Sequence, residues 1–220
     1  MFYFENFLGK KVLKSDYITE INAFFTTREG FDFTKLKPIR VLTPEQTHTN
    51  NVQITDSRDI YSECDGLITA NTKEAVYLRF ADCTPLIFYD SKNKVAAVSH
   101  AGWRGTYQKI AVKTVEKMMA NFDCNPANIT ALIGPAISLC CYEVGEDVKE
   151  KLLSTVKDSN GLFEGKNVDL KGINALQLKE IGVEKIDICP YCTSCNNDLF
   201  FSYRKENGTK ERHYAVVIAE

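Results

Sequence analysis

Ala81-Asp82-Cys83-Thr84-Pro85-Leu86-Ile87-Phe88-Tyr89-Asp90 leads through Ser91-Lys92-Asn93-Lys94 into Val95-Ala96-Ala97-Val98-Ser99-His100-Ala101-Gly102-Trp103-Arg104-Gly105. Two apolar runs around a polar turn predict a β-hairpin. In an antiparallel pair the numbers of facing residues add to a constant, and same-face neighbours differ by two. A two-residue turn at Ser91-Lys92 sets Cys83 directly opposite His100, and a four-residue turn sets them diagonally. Either register brings a thiol and an imidazole to one face at the open end.

Working outward, Met1 to Lys11 reads as a first strand and Phe24-Phe25-Thr26-Thr27 as another, ending at the turn Arg28-Glu29-Gly30. Alternation after Asn51, the run after Cys64-Asp65-Gly66 and Ala75 to Phe80 read as strands. After Gly105 the period changes. Tyr107, Ile110, Ala111, Thr114, Val115, Met118 and Met119 recur on one helical face ending near Asn121. Ile129 to Ile133 predicts a buried strand, and Val144 to Val156 a helix. A third helix runs to Ile181 with Asp169 as its N-cap and Gly182 closing it. Lys185 to Ile188, Leu199 to Tyr203 and Tyr214 to Ile218 complete the strands. The pattern predicts an α+β fold over residues 1–220: a single domain with a mixed β-sheet core and flanking helices.

The 220 residues are 44% hydrophobic and 25% charged, with a formal net charge of −2. Those values predict a globular chain with a sizeable core and give no reason to expect nucleic acid as a partner. The N-terminal stretch has no basic leader and is too short to span a bilayer, so the expectation is a cytoplasmic protein without a membrane partner, as a monomer or small homo-oligomer. Eight cysteines in such a chain predict buried thiols, metal ligands or a nucleophile rather than a disulfide framework.

There are three histidines, His48, His100 and His213. His48 lies on a polar loop before a strand, within reach of the hairpin end. His48, Cys83 and His100 would leave a fourth position open on a tetrahedral zinc, the pattern of a catalytic site. Without metal, a neighbouring imidazole would depress the Cys83 pKa and yield a thiolate nucleophile. Taken singly, each residue is equally compatible with a buried thiol or a hydrogen-bonded histidine. Gly102-Trp103-Arg104-Gly105 joins a strand end to a helix start, where free N–H groups and Arg104 favour an anion. Asp82 alternates to the face opposite Cys83 and reads as a supporting carboxylate. Cys189-Pro190-Tyr191-Cys192 matches a glutaredoxin-like dithiol but stands too near the C-terminus for that fold. Cys189, Cys192 and Cys195 begin an iron–sulfur spacing without its fourth Cys-Pro. A structural zinc site completed by Cys140 and Cys141 is the remaining reading of that cluster.

Gln46-Thr47-His48, Asp65-Gly66-Leu67-Ile68-Thr69, Ala81-Asp82-Cys83-Thr84-Pro85, His100-Ala101-Gly102-Trp103-Arg104-Gly105, Ile133-Gly134-Pro135-Ala136-Ile137 with Cys141-Tyr142-Glu143-Val144-Gly145, and Phe201-Ser202-Tyr203-Arg204 occur in this order. From about Phe25 onward the chain therefore resembles the YfiH-like family, long described as laccase-domain polyphenol oxidases and now regarded as purine nucleoside phosphorylases. The resemblance implies an α+β fold and zinc on His48, Cys83 and His100. It also implies phosphorolysis of adenosine, inosine and methylthioadenosine, with hydrolytic deamination of adenosine. Arg104, Arg28 and Arg204 become the candidate contacts to phosphate or ribose, and purine nucleoside and phosphate the implied partners. Thr49 replaces the family's usual Gly after the motif histidine, and Glu211-Arg212 replaces a Gly-Arg.

Copper is possible on a His2Cys set. A multicopper oxidase, however, needs a second histidine-rich cluster, and only His213 remains to build it. The same residues would also suit a cell-wall precursor hydrolase using Cys83, or a non-catalytic binding module. A closed four-ligand metal site would favour the binding module.

Overall fold

In the computed structural model, which describes residues 1–36 and 39–219, the hairpin lies at the centre of a six-stranded sheet. The chain opens with β1 (Phe2–Phe7), β2 (Lys10–Ser15) and β3 (Asn22–Thr26), then the short β4 (Arg40–Leu42), β5 (Val52–Ile54) and β6 (Gly66–Thr69). Next come β7 (Glu74–Phe80), β8 (Thr84–Asp90) and β9 (Val95–Ala101), followed by helices α1 (Trp103–Tyr107) and α2 (Ile110–Phe122). The remainder is β10 (Ile129–Ile133), α3 (Glu146–Leu153), β11 (Phe163–Glu164), β12 (Asn167–Val168), α4 (Leu170–Glu180), β13 (Lys185–Ile188) and β14 (His213–Ile218).

The register pairs Pro85 with His100 and Asp90 with Val95, which is the four-residue turn. Asp90 Oδ1 accepts hydrogen bonds from the N–H groups of Lys92 and Asn93 and shapes that turn. Cys83, just before β8, therefore stands diagonal to His100, on the same face.

The expected sheet core is two mixed six-stranded sheets, ordered β1-β2-β3-β14-β7-β4 and β13-β10-β8-β9-β6-β5, with β11-β12 a separate small pair. Parallel pairing occurs at β4–β7, β5–β6 and β10–β13. The inner faces share one core: Leu13, Phe25, Leu78 and Val217 of the first sheet meet Leu67, Ile87, Val98 and Leu132 of the second. Behind the second sheet, Leu86, Phe88 and Ala97 pack on Ile110, Val115 and Met118 of α2 and Leu178 of α4. This double burial explains the unbroken apolar run of β8, since alternate residues serve two cores. Leu86, Ile87 and Phe88 are fully buried, and each contributes roughly 1.5–3 kcal/mol. Aromatics including Phe7, Phe24, Phe31, Phe33, Tyr77 and Tyr214 cover the outer face of the first sheet.

Several expectations need correction. The N-terminal strand is a hairpin, turning at Leu8 and Gly9, both with positive φ. The helix after Gly105 is interrupted where Lys109 takes φ 58°, so α1 and α2 point differently. Asp169 precedes α4, but its side chain makes no capping hydrogen bond. Leu199 to Tyr203 is not a strand. The N–H groups of Leu199 and Phe200 bond back to the Asn196 carbonyl, while buried Phe200 and Phe201 anchor the segment as a loop. Strand-like apolarity there serves anchoring, not a ladder. Among the described residues, no helix is long and apolar enough to cross a membrane.

Candidate active site and metal centre

The hairpin's open end faces the loop that carries His48. One ligand atom each from His48, Cys83 and His100 lies within 4.8 Å of the others. His48 Nε2 is 4.0 Å from Cys83 Sγ, and the two imidazoles meet edge to face with centroids 4.7 Å apart. His48 is held in the left-handed region at φ 61°, an uncommon conformation for a non-glycine residue that needs outside support.

Asp65 supplies it. Its Oδ2 accepts from the backbone N–H groups of Thr47 (3.2 Å) and Thr49 (2.7 Å) and from the Thr49 hydroxyl (3.0 Å). Its Oδ1 lies 2.9 Å from His100 Nδ1, which fixes the Nδ1–H tautomer and turns Nε2 toward Cys83. The Asp65 carbonyl also accepts from the His100 backbone N–H at 2.7 Å. One fully buried carboxylate thus orients both histidines.

Gly102 closes the group from behind. A Cβ there would lie 3.0 Å from Cys83 Sγ and 3.3 Å from His48 Cδ2. Only glycine lets the backbone pass this close to the donors.

The charges are coupled. Burial opposes ionising Cys83, but the charge and hydrogen bond of His100, with His48, outweigh it and lower the thiol pKa. Burial likewise opposes charge on His100, but Cys83 and Asp65 outweigh it and raise the imidazole pKa. The metal-free pair is a thiolate beside an imidazolium, and the thiolate is the form that binds metal. Converging soft and imidazole donors, a fixed tautomer and the glycine cradle fit a bound transition metal.

These residues sit in the wall of a cavity of about 600 Å³, a volume typical of small-molecule sites. Arg79, Arg204, Lys210 and Arg212 also line it, with the rings of Tyr142 and Tyr203 and the apolar Ala81 and Ile137. Among the described residues Asp82 is the one acid in the lining, and both its carboxylate oxygens are engaged. Oδ1 accepts from the Thr193 hydroxyl at 2.6 Å and Oδ2 from the Arg204 backbone N–H at 2.7 Å. Four cations against one committed acid give the cavity a net positive lining suited to an anion.

Residues 24–220 match the family model described as multi-copper polyphenol oxidoreductase laccase. The fold aligns with the Bacillus licheniformis hypothetical protein YfiH at a TM-score of 0.89 and 26% identity, covering 97% of this chain and 98% of that one. YlmD from Geobacillus stearothermophilus gives a TM-score of 0.88 at 28% identity, covering 97% of each chain. This chain belongs to the YfiH-like family. A purine nucleoside phosphorylase of Staphylococcus epidermidis is 39% identical over 183 residues, 80% of this chain and 66% of its own length. The chain thus spans about two thirds of the length of that curated relative.

Placed in the YfiH-like fold, the three arginines expected at phosphate or ribose separate. Arg204 lines the cavity, with both terminal nitrogens 3.1 Å from the Glu143 carbonyl. Arg104 is absent from the lining and lies over the neighbouring Trp103 ring, 4.4 Å from its centroid. The helix it lies in has five residues, too short to build a strong anion site from its dipole. Arg28 is committed elsewhere. It grips Glu206 through two nitrogens, at 2.9 and 3.3 Å, donates to the carbonyls of Asn197 and Phe200, and covers the Phe201 ring. It braces the loop that carries Arg204.

Sequence reasoning missed Arg79, Tyr142, Lys210 and the organising role of Asp65. Asp65 carried a signal, an acid in a turn ahead of a buried strand, whereas an isolated lysine or arginine carries none. Thr49, which follows His48, adds a hydroxyl bond to Asp65. Gln46 is structural, since its amide pairs with the Arg79 N–H and C=O as a strand neighbour would. His213 is buried between Phe80 and Phe200, away from the metal-ligating group.

Proposed function

We propose that the protein is a zinc-dependent purine nucleoside phosphorylase acting on adenosine, inosine or methylthioadenosine. One observation carries the reading. A His2Cys donor set and four cations share a single cavity with two tyrosines, so a metal, an anion and a planar base can occupy it together. The phosphorylase names of relatives such as that of S. epidermidis support the reaction class.

In this reading Arg204, Arg79, Lys210 and Arg212 hold phosphate, and Tyr142 and Tyr203 bracket the purine. An oxygen of hydrogen phosphate bonds to ribose C1′ as the C1′–N bond to the purine breaks, and the phosphate's proton passes to the departing nitrogen, giving the free base and ribose 1-phosphate (5-methylthioribose 1-phosphate from methylthioadenosine). His48, Cys83 and His100 would hold the zinc, which would supply Lewis-acid chemistry there. Asp65 holds the proton on His100 Nδ1, so that Nε2, aimed inward, is the nitrogen that gives up its proton to a metal. Hydrolytic deamination of adenosine belongs to the same proposal, with water in place of phosphate as the co-substrate.

The multicopper reading that the family description suggests lacks donors. With His213 in the core, the second group of metal-competent side chains among the described residues is made of four cysteines and no histidine. That set suits no trinuclear copper centre.

Incubation of the zinc-loaded protein with adenosine or inosine should release free base only when phosphate is present, and ammonia from adenosine without it. Cys83→Ala should abolish both, and Arg204→Ala should raise the KM for phosphate at least about tenfold. Base release independent of phosphate, or full activity in Cys83→Ala, would refute the proposal.

A further inference from the structure

Two loops meet beside the cavity with four thiols between them. Cys140 and Cys141 lie in the turn after β10, and Cys192 and Cys195 in the loop after β13. Their Sγ atoms all lie within 4.8 Å of one another. Cys195 is 3.6 Å from Cys140 and 3.4 Å from Cys141. A tetrahedral site with Zn–S bonds of about 2.3 Å sets its sulfurs about 3.8 Å apart. A disulfide needs about 2.05 Å between two of them, and all four cysteines are free. The spacing is that of a metal-thiolate site.

The backbone is built for thiolates as well. The Ser138 N–H donates to Cys192 Sγ at 3.4 Å. An amide of the facing loop thus offsets part of the charge that several metal-bound thiolates would otherwise concentrate. Cys189 is excluded. It is fully buried in the shared core, apart from the group of four. The iron–sulfur spacing over Cys189, Cys192 and Cys195 is therefore not realised. Adjacent Cys140 and Cys141 both reach the group because the turn bonds the N–H groups of Cys141 and Tyr142 to one carbonyl, that of Ser138.

We propose that Cys140, Cys141, Cys192 and Cys195 bind a second zinc ion in a closed, four-thiolate structural site. The ion staples the loop after β10 to the loop after β13. The first loop presents Ile137 and Tyr142 to the cavity. The second holds Asp82 through Thr193, and Asp82 in turn holds the Arg204 backbone. The staple thus fixes a cavity wall without touching substrate, and its existence does not depend on the reaction catalysed there.

The test strips the full-length protein with chelator under reducing conditions, reloads it with Zn2+ and counts metal by mass spectrometry. Wild type should retain about two equivalents, while the Cys83→Ala variant and a Cys140→Ser/Cys195→Ser variant each retain about one. If the cavity binds no metal, wild type and Cys83→Ala still each hold the one ion that the double variant loses, so failure of the cavity proposal is distinguishable. Should the double variant not fold, alkylation of wild type decides. Cys140 and Cys195 are exposed, yet in the zinc-loaded protein they should react with N-ethylmaleimide at least about tenfold more slowly than after chelation. Equal rates with and without zinc, unchanged metal content in the double variant, a disulfide among the four, or iron held by them would each overturn the proposal.

Discussion

Asp65 bonds His100 directly and holds His48 in place through its neighbours Thr47 and Thr49, so a single oxygen-for-nitrogen exchange tests the candidate metal site. In Asp65→Asn, an amide NH2 facing the loop would oppose the donors of Thr47 and Thr49, and one facing His100 would force the proton onto Nε2. Either orientation damages a ligand. We expect zinc affinity and nucleoside turnover to fall about 10- to 100-fold with an unchanged far-UV spectrum, measured by competition with a chromophoric chelator. The coupled Cys83–His100 pair makes a second prediction. Since His100 is held protonated by Cys83 and Asp65, metal must displace its proton. Apparent affinity should therefore weaken about tenfold for each unit of acidification below neutrality, with about one proton released per zinc in weakly buffered titrations. A pH-independent affinity would contradict the thiolate–imidazolium state.

At the scale of elements, the loop from Asn196 to Arg204 has apolar anchors but no strand ladder, and Arg28 replaces the ladder with side-chain bonds. Removing them in Arg28→Ala should cost roughly 1–3 kcal/mol and speed amide exchange around Phe200 and Phe201. The pH dependence has a fixed sign. Arg28 hydrogen bonding, against a smaller burial penalty and with help from Ser202 and Asn197, lowers the Glu206 pKa from 4.5 to about 2. That contribution is present above pH 4.5 and lost as pH falls toward about 2. Arg28→Ala should flatten this acid limb of the stability profile. An unchanged limb would show that the pair contributes nothing. From sequence, Arg28 and Leu199 to Tyr203 read as an anion contact and a strand, because neither charge nor apolarity reveals what lies 170 residues away.

At the scale of the whole molecule, the fit between the two sheets is set by close contacts such as Gly134 against Phe25. A Cβ on Gly134 would fall 2.2 Å from the Phe25 ring, which lies fully buried in the shared core. Gly134→Ala should therefore destabilise by about 1–3 kcal/mol, read from denaturant midpoints, and Phe25→Leu in the same chain should recover part of it. Additive losses would mean that the two residues do not press on each other. What the sequence by itself determined is local and periodic: the hairpin and the face shared by Cys83 and His100, the helical period after Gly105, and the scarcity of histidine that argues against a copper cluster. Alternation and turn chemistry suffice for those, because each is decided within a few residues. Only the tertiary structure decided that there are two sheets rather than one core sheet. It also decided that Asp65 serves two histidines, that Arg28 is structural while Arg79 and Lys210 reach the cavity, and that four cysteines converge while Cys189 does not. Those outcomes depend on contacts between distant segments, whose geometry comes from how buried faces pack, and no spacing along the chain encodes that. The hairpin end could be read in advance as a place where ligands meet. The charges, rings and second thiol cluster around it could not.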